Sequence, residues 1–211
     1  VIAAGCLPAR MGEKLYKLIP EIDAVVTPAQ RDNIADIIKN CLTDSGKHLY
    51  SGPKDMPCSD DSGRLLITGG HYAYLQISQG CSRKYSFCTI PYIRGPFRSK
   101  PLESILKEAE QLADSGVKEL ILIAQDTTLY GHDLKINDAL VTVLRELEKI
   151  RPFKWIRLMY SYPSGLTDRL LETIASSEKI VNYFDMPIQH INNDILKSMR
   201  RSDTKEDILN V

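Results

Sequence analysis

The sequence predicts an α/β protein: a partial parallel (β/α) barrel preceded by the C-terminal part of a small α/β domain. Three observations carry this expectation. Short apolar runs bounded by turn residues alternate with stretches of helical periodicity. The run Glu119-Leu120-Ile121-Leu122-Ile123-Ala124 is almost continuously apolar, as in a parallel strand covered on both faces. The expected strands also end in polar residues, which a parallel sheet would gather on one rim.

Val1-Ile2-Ala3-Ala4 reads as the end of a strand. A helical stretch with Leu7, Met11, Leu15 and Leu18 on one face follows, and Pro20 ends it. Ile22-Asp23-Ala24-Val25-Val26 is a β-branched strand, and Ile34, Ile37, Ile38 and Leu42 mark an amphipathic helix. Residues 1–42 are therefore assigned to the end of an α/β domain. Residues 43–68 are rich in turn formers and read as an interdomain linker with a short strand at 65–68. Residues 69–211 carry the βα repeat. Its strands are expected at 72–78, 119–124, 155–160 and 180–186. Between them lie helices opened by Pro101 and closed by Gly116, built on Leu140, Val143, Leu144 and Leu147, and capped by Thr167. One more helix carries Ile195, Leu196 and Met199. Both ends read as cut: no Met opens the chain, and a helix capped by Thr204 stops within about two turns.

Lys+Arg and Asp+Glu both number 27 in 211 residues, so net charge gives no reason to expect nucleic acid. No apolar stretch approaches the roughly 20 residues that span a bilayer, and no signal peptide pattern opens the chain. A cytoplasmic location without membrane contact is expected. The cysteines are Cys6, Cys41, Cys58, Cys81 and Cys88. Their odd number argues against a disulfide framework and for thiols that bind metal or pack as small hydrophobes.

The segment Gly80-Cys81-Ser82-Arg83-Lys84-Tyr85-Ser86-Phe87-Cys88 follows the first strand of the repeat. On a helix, Cys81 and Cys88 would share a face and could be core residues. Gly80, Ser82, Ser86 and Pro91 oppose a helix and favour a metal-binding loop. A zinc site adding Cys58 and His71 lacks a compact Cys pair. Tyr85 suits a sulfide cluster poorly, because a phenol ionises near 10 and offers a hard oxygen.

Between Cys81 and Leu102 there is no acid, while Arg83, Lys84, Arg94, Arg98 and Lys100 are basic. Two readings stand: a solvated basic face, or capture of a carboxylate from a cofactor or an acidic substrate residue. Gln125-Asp126-Thr127-Thr128 is either a hydrophilic turn or a contact for cofactor or substrate, and its place on the rim favours contact. Ser161-Tyr162-Pro163-Ser164-Gly165 and Gln189-His190 occupy the other strand ends. His190 is often the kind of residue that is merely a satisfied polar group. No catalytic acid or base is assigned.

Together these segments resemble the methylthiotransferase family of radical S-adenosylmethionine enzymes. The likeness runs through Tyr72-Ala73-Tyr74-Leu75-Gln76-Ile77-Ser78-Gln79-Gly80-Cys81, Ile90-Pro91, Arg94-Gly95, Arg98-Ser99 and Leu122-Ile123-Ala124-Gln125-Asp126-Thr127-Thr128-Leu129-Tyr130-Gly131. It continues through Tyr162-Pro163-Ser164-Gly165-Leu166-Thr167-Asp168 and Met186-Pro187-Ile188-Gln189-His190, and Gly5-Cys6-Leu7 is similar to a cysteine motif of the family's N-terminal domain. Ala124-Gln125-Asp126-Thr127-Thr128 and Tyr160-Ser161-Tyr162-Pro163 look like the RimO branch, which adds a methylthio group to the β-carbon of an aspartate in a small-subunit ribosomal protein. The tRNA-modifying MiaB branch is the alternative, and a non-catalytic fragment or degenerate relative is the rival of another class.

The resemblance implies a radical SAM barrel truncated before its last βα units, two [4Fe–4S] clusters and S-adenosyl-L-methionine. Cys81 and Cys88 would ligate the radical-generating cluster, with Tyr85 at the position of its third cysteine. Cys6 would ligate the second cluster. Phe87 would lie beside the cofactor's adenine, and Gln125, Asp126, Ser161 and Gln189 would complete the cofactor site. The substrate would be the ribosomal protein, with flavodoxin or ferredoxin as electron donor and no nucleic acid required by this stretch.

Overall fold

The computed structural model describes residues 1–67 and 69–211, divided into two compact units: Val1–Met56 with Thr89–Pro96, and Pro57–Cys88 with Phe97–Val211. The first unit opens with β1 (Ile2–Ala4), α1 (Cys6–Met11) and α2 (Leu15–Leu18). β2 (Ala24–Val26), α3 (Ile34–Thr43) and β3 (His48–Tyr50) follow. The strands form a parallel sheet in the order β1-β2-β3, with Ala24 opposite both Ile2 and His48. Side chains alternate across β2. Val25 packs with Leu15 and Ile22 on one face, whereas Ala24 and Val26 pack with Ile37 of α3 on the other. A helix covers each side, so this short central strand is wholly buried.

β3 lies inside the stretch that the sequence reads as linker. Three residues are too few to show a period, and what makes them a strand is the parallel ladder offered by β2. The expected strand at 65–68 differs in the other direction. Leu65–Ile67 carry no strand: Leu65 and Ile67 are exposed, Leu66 alone packs partly buried against the core of the second unit, and Thr68 lies outside the described residues.

The second unit is built on β4 (Tyr72–Gln76) and β5 (Ser78–Gln79), which together take up the expected run 72–78. α4 (Ile90–Arg94) belongs to the first unit, and β6 (Arg98–Ser99) returns to the second. α5 (Leu102–Asp114), β7 (Glu119–Ile123), α6 (Ala139–Glu148), β8 (Trp155–Leu158) and α7 (Asp168–Ala175) continue the repeat. α8 (Asn193–Ser198) and α9 (Lys205–Leu209) close the chain.

The sheet order is β4-β7-β8, all parallel, with Leu75, Leu122 and Leu158 in one register row. These leucines join Ile105 and Ala109 of α5, Leu144 and Leu147 of α6, and Leu170 and Ile174 of α7 in a single core. The continuous apolar run of β7 is explained by burial on both sides: Leu120 and Leu122 face the helices, and Ile121 on the opposite face is also buried.

At Ile77 the first strand changes partner. The Ile77 N–H donates to the Ile123 carbonyl, while its own carbonyl accepts from Lys100, so that β5 pairs antiparallel with β6 rather than with β7. The cysteine loop therefore leaves the sheet at a bend.

The expected fourth strand at 180–186 is not formed as a strand. Ile180 makes one parallel bridge to Ile156, and further on the Ser161 N–H donates to the Asp185 carbonyl. Between these points Tyr183 turns its N–H onto Val181 of its own segment, which removes the donors a ladder would need. The segment runs beside β8 without completing the pairing. Among the described residues, no helix is long and apolar enough to cross a membrane.

Candidate cofactor and metal site

The three parallel strands end on one rim, and side chains tie those ends together. Gly80 opens the cysteine loop at φ +74, a left-handed conformation that favours glycine. Arg83 then points back over the sheet. Its Nε donates to Asp126 Oδ2 at 3.0 Å, and its guanidinium carbon lies 4.8 Å from the centre of the Tyr162 ring. Asp126 also accepts from Thr128 Oγ1 at 2.6 Å. Thr127 Oγ1 donates to the Met159 carbonyl at 2.7 Å, linking the end of β7 to that of β8. Burial works against the Arg83 cation, but Asp126 and neighbouring acceptors outweigh it, so its pKa rises and the charge is held.

Two members of the basic run, Arg83 and Lys100, have partners within the chain. Arg83 meets a carboxylate of its own chain, and Lys100 is buried with Nζ 2.6 Å from Glu108 Oε2. Neither belongs to a solvated face. Lys84 remains exposed.

Cys81 is buried and Cys88 half-buried, and both belong to the irregular loop. Burial pushes the Cys81 thiol pKa up, while the backbone N–H of Arg83 pulls in the opposite direction. Tyr85, between them, is also buried. Desolvation raises its phenol pKa, so it stands as a neutral hydroxyl near neutrality. The Tyr85 ring stacks on Phe87 at 5.8 Å with an interplanar angle of 14°. It also lies 6.2 Å from Tyr162 and 5.0 Å from the Arg201 guanidinium.

These donors do not fit a three-thiolate [4Fe–4S] centre. Two thiols are present, and the third position is a neutral phenol whose ring is already engaged. Among the described residues no three His, Cys, Asp or Glu side chains converge as a metal set, the zinc alternative with Cys58 and His71 included. Cys6 sits in the first unit, half-buried at the start of α1.

The remaining rim residues suit an organic ligand better. Ser161 is fully buried, and its Oγ has no hydrogen-bond partner; neither has Gln125 Oε1. Buried polar atoms are normally paired, so these two are acceptors or donors awaiting one. Phe87 presents its ring 54% exposed. Tyr160, just past the end of β8, holds a left-handed backbone at φ +59, and so does Gln189 at φ +63. His190 Nδ1 accepts from the Asn192 N–H at 2.9 Å and so serves its own turn.

Arg201 and Asp203 were not legible as site residues. In sequence, Arg200-Arg201-Ser202-Asp203 reads as a solvated charged turn after a helix. In the structure both Arg201 and Asp203 side chains are fully buried and paired at 2.9 Å. The turn itself explains this. Arg200 is left-handed at φ +56, its N–H bonds to Lys197, and the Arg201 N–H bonds to Leu196. That is the Schellman ending of α8, and it directs the next residue inward. Tyr162, in the polar stretch after β8, has its phenol pKa raised strongly by burial, and both the Arg83 and Arg201 guanidinium groups lie against its ring.

Comparison with known proteins gives a consistent picture. The family model described as Radical SAM superfamily matches residues 75–211. The chain is 48% identical over its whole length to the ribosomal protein uS12 methylthiotransferase RimO of Clostridioides difficile, covering 47% of that protein. It is 45% identical to the RimO of Acetivibrio thermocellus, covering all of this chain and 48% of that one. It thus spans about half the length of the curated relatives it matches. Among solved structures, the cobalamin-dependent S-adenosylmethionine radical enzyme OxsB superposes with a TM-score of 0.60 at 13% identity, over 98% of this chain and 33% of that one. At that identity the likeness concerns the α/β fold alone.

Proposed function

We infer the function from one premise: this chain belongs to the radical SAM superfamily. On that footing it is the cluster-loop portion of a methylthiotransferase that adds a methylthio group to the β-carbon of an aspartate in a small-subunit ribosomal protein. The observation that carries this reading is the 48% identity to a uS12 methylthiotransferase along the entire chain. Equal numbers of acidic and basic residues, 27 each, are compatible with a protein substrate.

S-adenosyl-L-methionine, when bound, supplies the methyl group of the transferred unit. Phe87 offers its exposed ring to the adenine, and Gln125 and Ser161 offer their unpaired buried atoms for hydrogen bonds. Asp126 acts through Arg83 by fixing the loop, and Gln189 is assigned to the same site by the family resemblance. A second cluster involving Cys6, an electron donor such as flavodoxin or ferredoxin, a cytoplasmic location and no requirement for nucleic acid belong to the same proposal.

Tyr85 leaves this chain with two of three cluster thiolates, so as it stands the family's reductive chemistry is withheld from it. A non-catalytic relative is the second reading, and the engagement of the Tyr85 ring favours it. The test is anaerobic reconstitution with iron and sulfide, for the chain and for Tyr85→Cys. Ribosomal protein uS12 and tRNA are then offered, and mass spectrometry follows the methylthio group. Modification of uS12 by the variant alone supports the assignment. Modification of tRNA alone overturns the branch, and modification of uS12 by the unaltered chain overturns the role given to Tyr85. A variant that binds a cluster and modifies neither substrate leaves the non-catalytic reading.

A further inference from the structure

In a loop that binds a metal cluster, the ligands themselves normally fix the backbone, because metal binding is coupled to folding. Here the loop at residues 80–88 is anchored at several points by contacts with other parts of the chain. The Ser86 N–H donates to the Met199 carbonyl at 3.0 Å, and Ser86 Oγ donates to the Ser198 carbonyl at 3.2 Å. Arg83 reaches Ser202 Oγ at 3.3 Å and Asp126 at 3.0 Å. Ser82 Oγ accepts from the Phe97 N–H at 3.2 Å.

Among these anchors stands Tyr85, stacked on Phe87 and with the Arg201 guanidinium 5.0 Å from its ring centre. Arg201 is in turn held by Asp203 and lies 5.4 Å from the Tyr162 ring. The Tyr85 hydroxyl is buried and makes no hydrogen bond. Its ring is used, and its oxygen is not.

We propose that Tyr85 is a metal-independent keystone of the loop: its ring, in contact with both Phe87 and the Arg201 guanidinium, couples residues 80–88 to the turn at residues 199–203 and holds the loop in place without a cluster. Aromatic and guanidinium–ring contacts of this kind are worth enough to set a local opening equilibrium. The inference stands on contacts within this chain and does not depend on the substrate assignment.

Amide hydrogen exchange by mass spectrometry on the 211-residue chain tests it, in chelator and after anaerobic treatment with iron and sulfide. The metal-free chain is expected to protect the bonded amides of Ser86, Cys88, Met199, Arg200 and Arg201, with no further protection from iron and sulfide. Tyr85→Phe keeps the ring and is expected to exchange like the parent. Tyr85→Ala is expected to speed exchange in both segments together, by roughly tenfold. Should the alanine variant unfold, Tyr85→Leu fills the space without a ring face and reads the same contrast. The proposal is overturned if the loop gains protection only with iron and sulfide. It is equally overturned if loss of the ring leaves residues 199–203 unchanged, or if Tyr85→Phe opens the loop as alanine does. None of these results bears on which substrate the family member modifies.

Discussion

Arg83 Nε donates to Asp126 Oδ2 at 3.0 Å across 43 residues of sequence, joining the cysteine loop to the end of the central strand. The carboxylate is fully buried and the guanidinium 14% exposed. Removing the acid would strand a cation beside Tyr162, so Asp126→Ala is expected to destabilise the second unit by roughly 3 kcal/mol. Urea unfolding monitored by tyrosine fluorescence measures it. A change below about 1 kcal/mol, the range of exposed pairs, would show that water satisfies Arg83 instead.

Glu108 illustrates a second buried charge that helical periodicity cannot reveal. It sits on the apolar face of α5 and receives both Lys100 Nζ and Arg64 Nη1 at 2.6 Å. Glu108→Leu alone leaves Lys100 charged in the core and should destabilise by about 3–5 kcal/mol. The double variant Lys100→Met with Glu108→Leu should recover most of that loss. A double-mutant cycle by chemical denaturation checks both numbers, and a strictly additive pair would contradict the coupling.

Arg200 occupies the left-handed position that ends α8, with its side chain exposed. Glycine enters that region without steric conflict, so Arg200→Gly is expected to stabilise by about 0.5–1 kcal/mol while leaving Arg201 in place. Thermal unfolding should show a small rise in midpoint. A fall would mean that the Arg200 side chain makes contributions its exposure does not indicate.

Tyr130 predicts an alkaline limit to stability. Burial pushes its phenol from the ordinary 10.0 to about 12, with Asp133 adding in the same direction. Its hydroxyl donates to the Lys100 carbonyl at 2.7 Å. The folded state therefore keeps a proton that the unfolded chain gives up near pH 10. The associated stability is fully present below pH 10 and is lost as pH rises towards about 12. Denaturation at stepped alkaline pH should show this fall, and Tyr130→Phe should lessen it.

Much of the fold was legible from local pattern. The run at 119–124 became β7, Thr167 caps α7 by accepting from the Leu170 N–H, and Thr204 and Asp207 form the capping box of α9. These features depend on neighbours a few residues away, which is the range over which periodicity and capping act. The polar strand ends were also legible. The ends of β7 and β8 do meet on one rim with the cysteine loop, because strands in a parallel sheet end on the same side. The fourth run failed as a strand for a reason no apolar pattern contains, since Tyr183 turns its own N–H back onto Val181.

The sequence by itself determined the alternation of strands and helices, the site of the cysteine loop and the presence of Tyr85 where a third cysteine was expected. Only the tertiary structure decided what surrounds that ring. Arg201 and Asp203 are charged residues in a turn, and nothing local distinguishes them from solvated ones. Their burial follows from the ending of α8 and from the aromatic surfaces of Tyr85 and Tyr162, contributed by distant parts of the chain. Desolvation belongs to a place in the folded molecule rather than to a residue, and so the partners of a buried charge emerge only when the chain is packed.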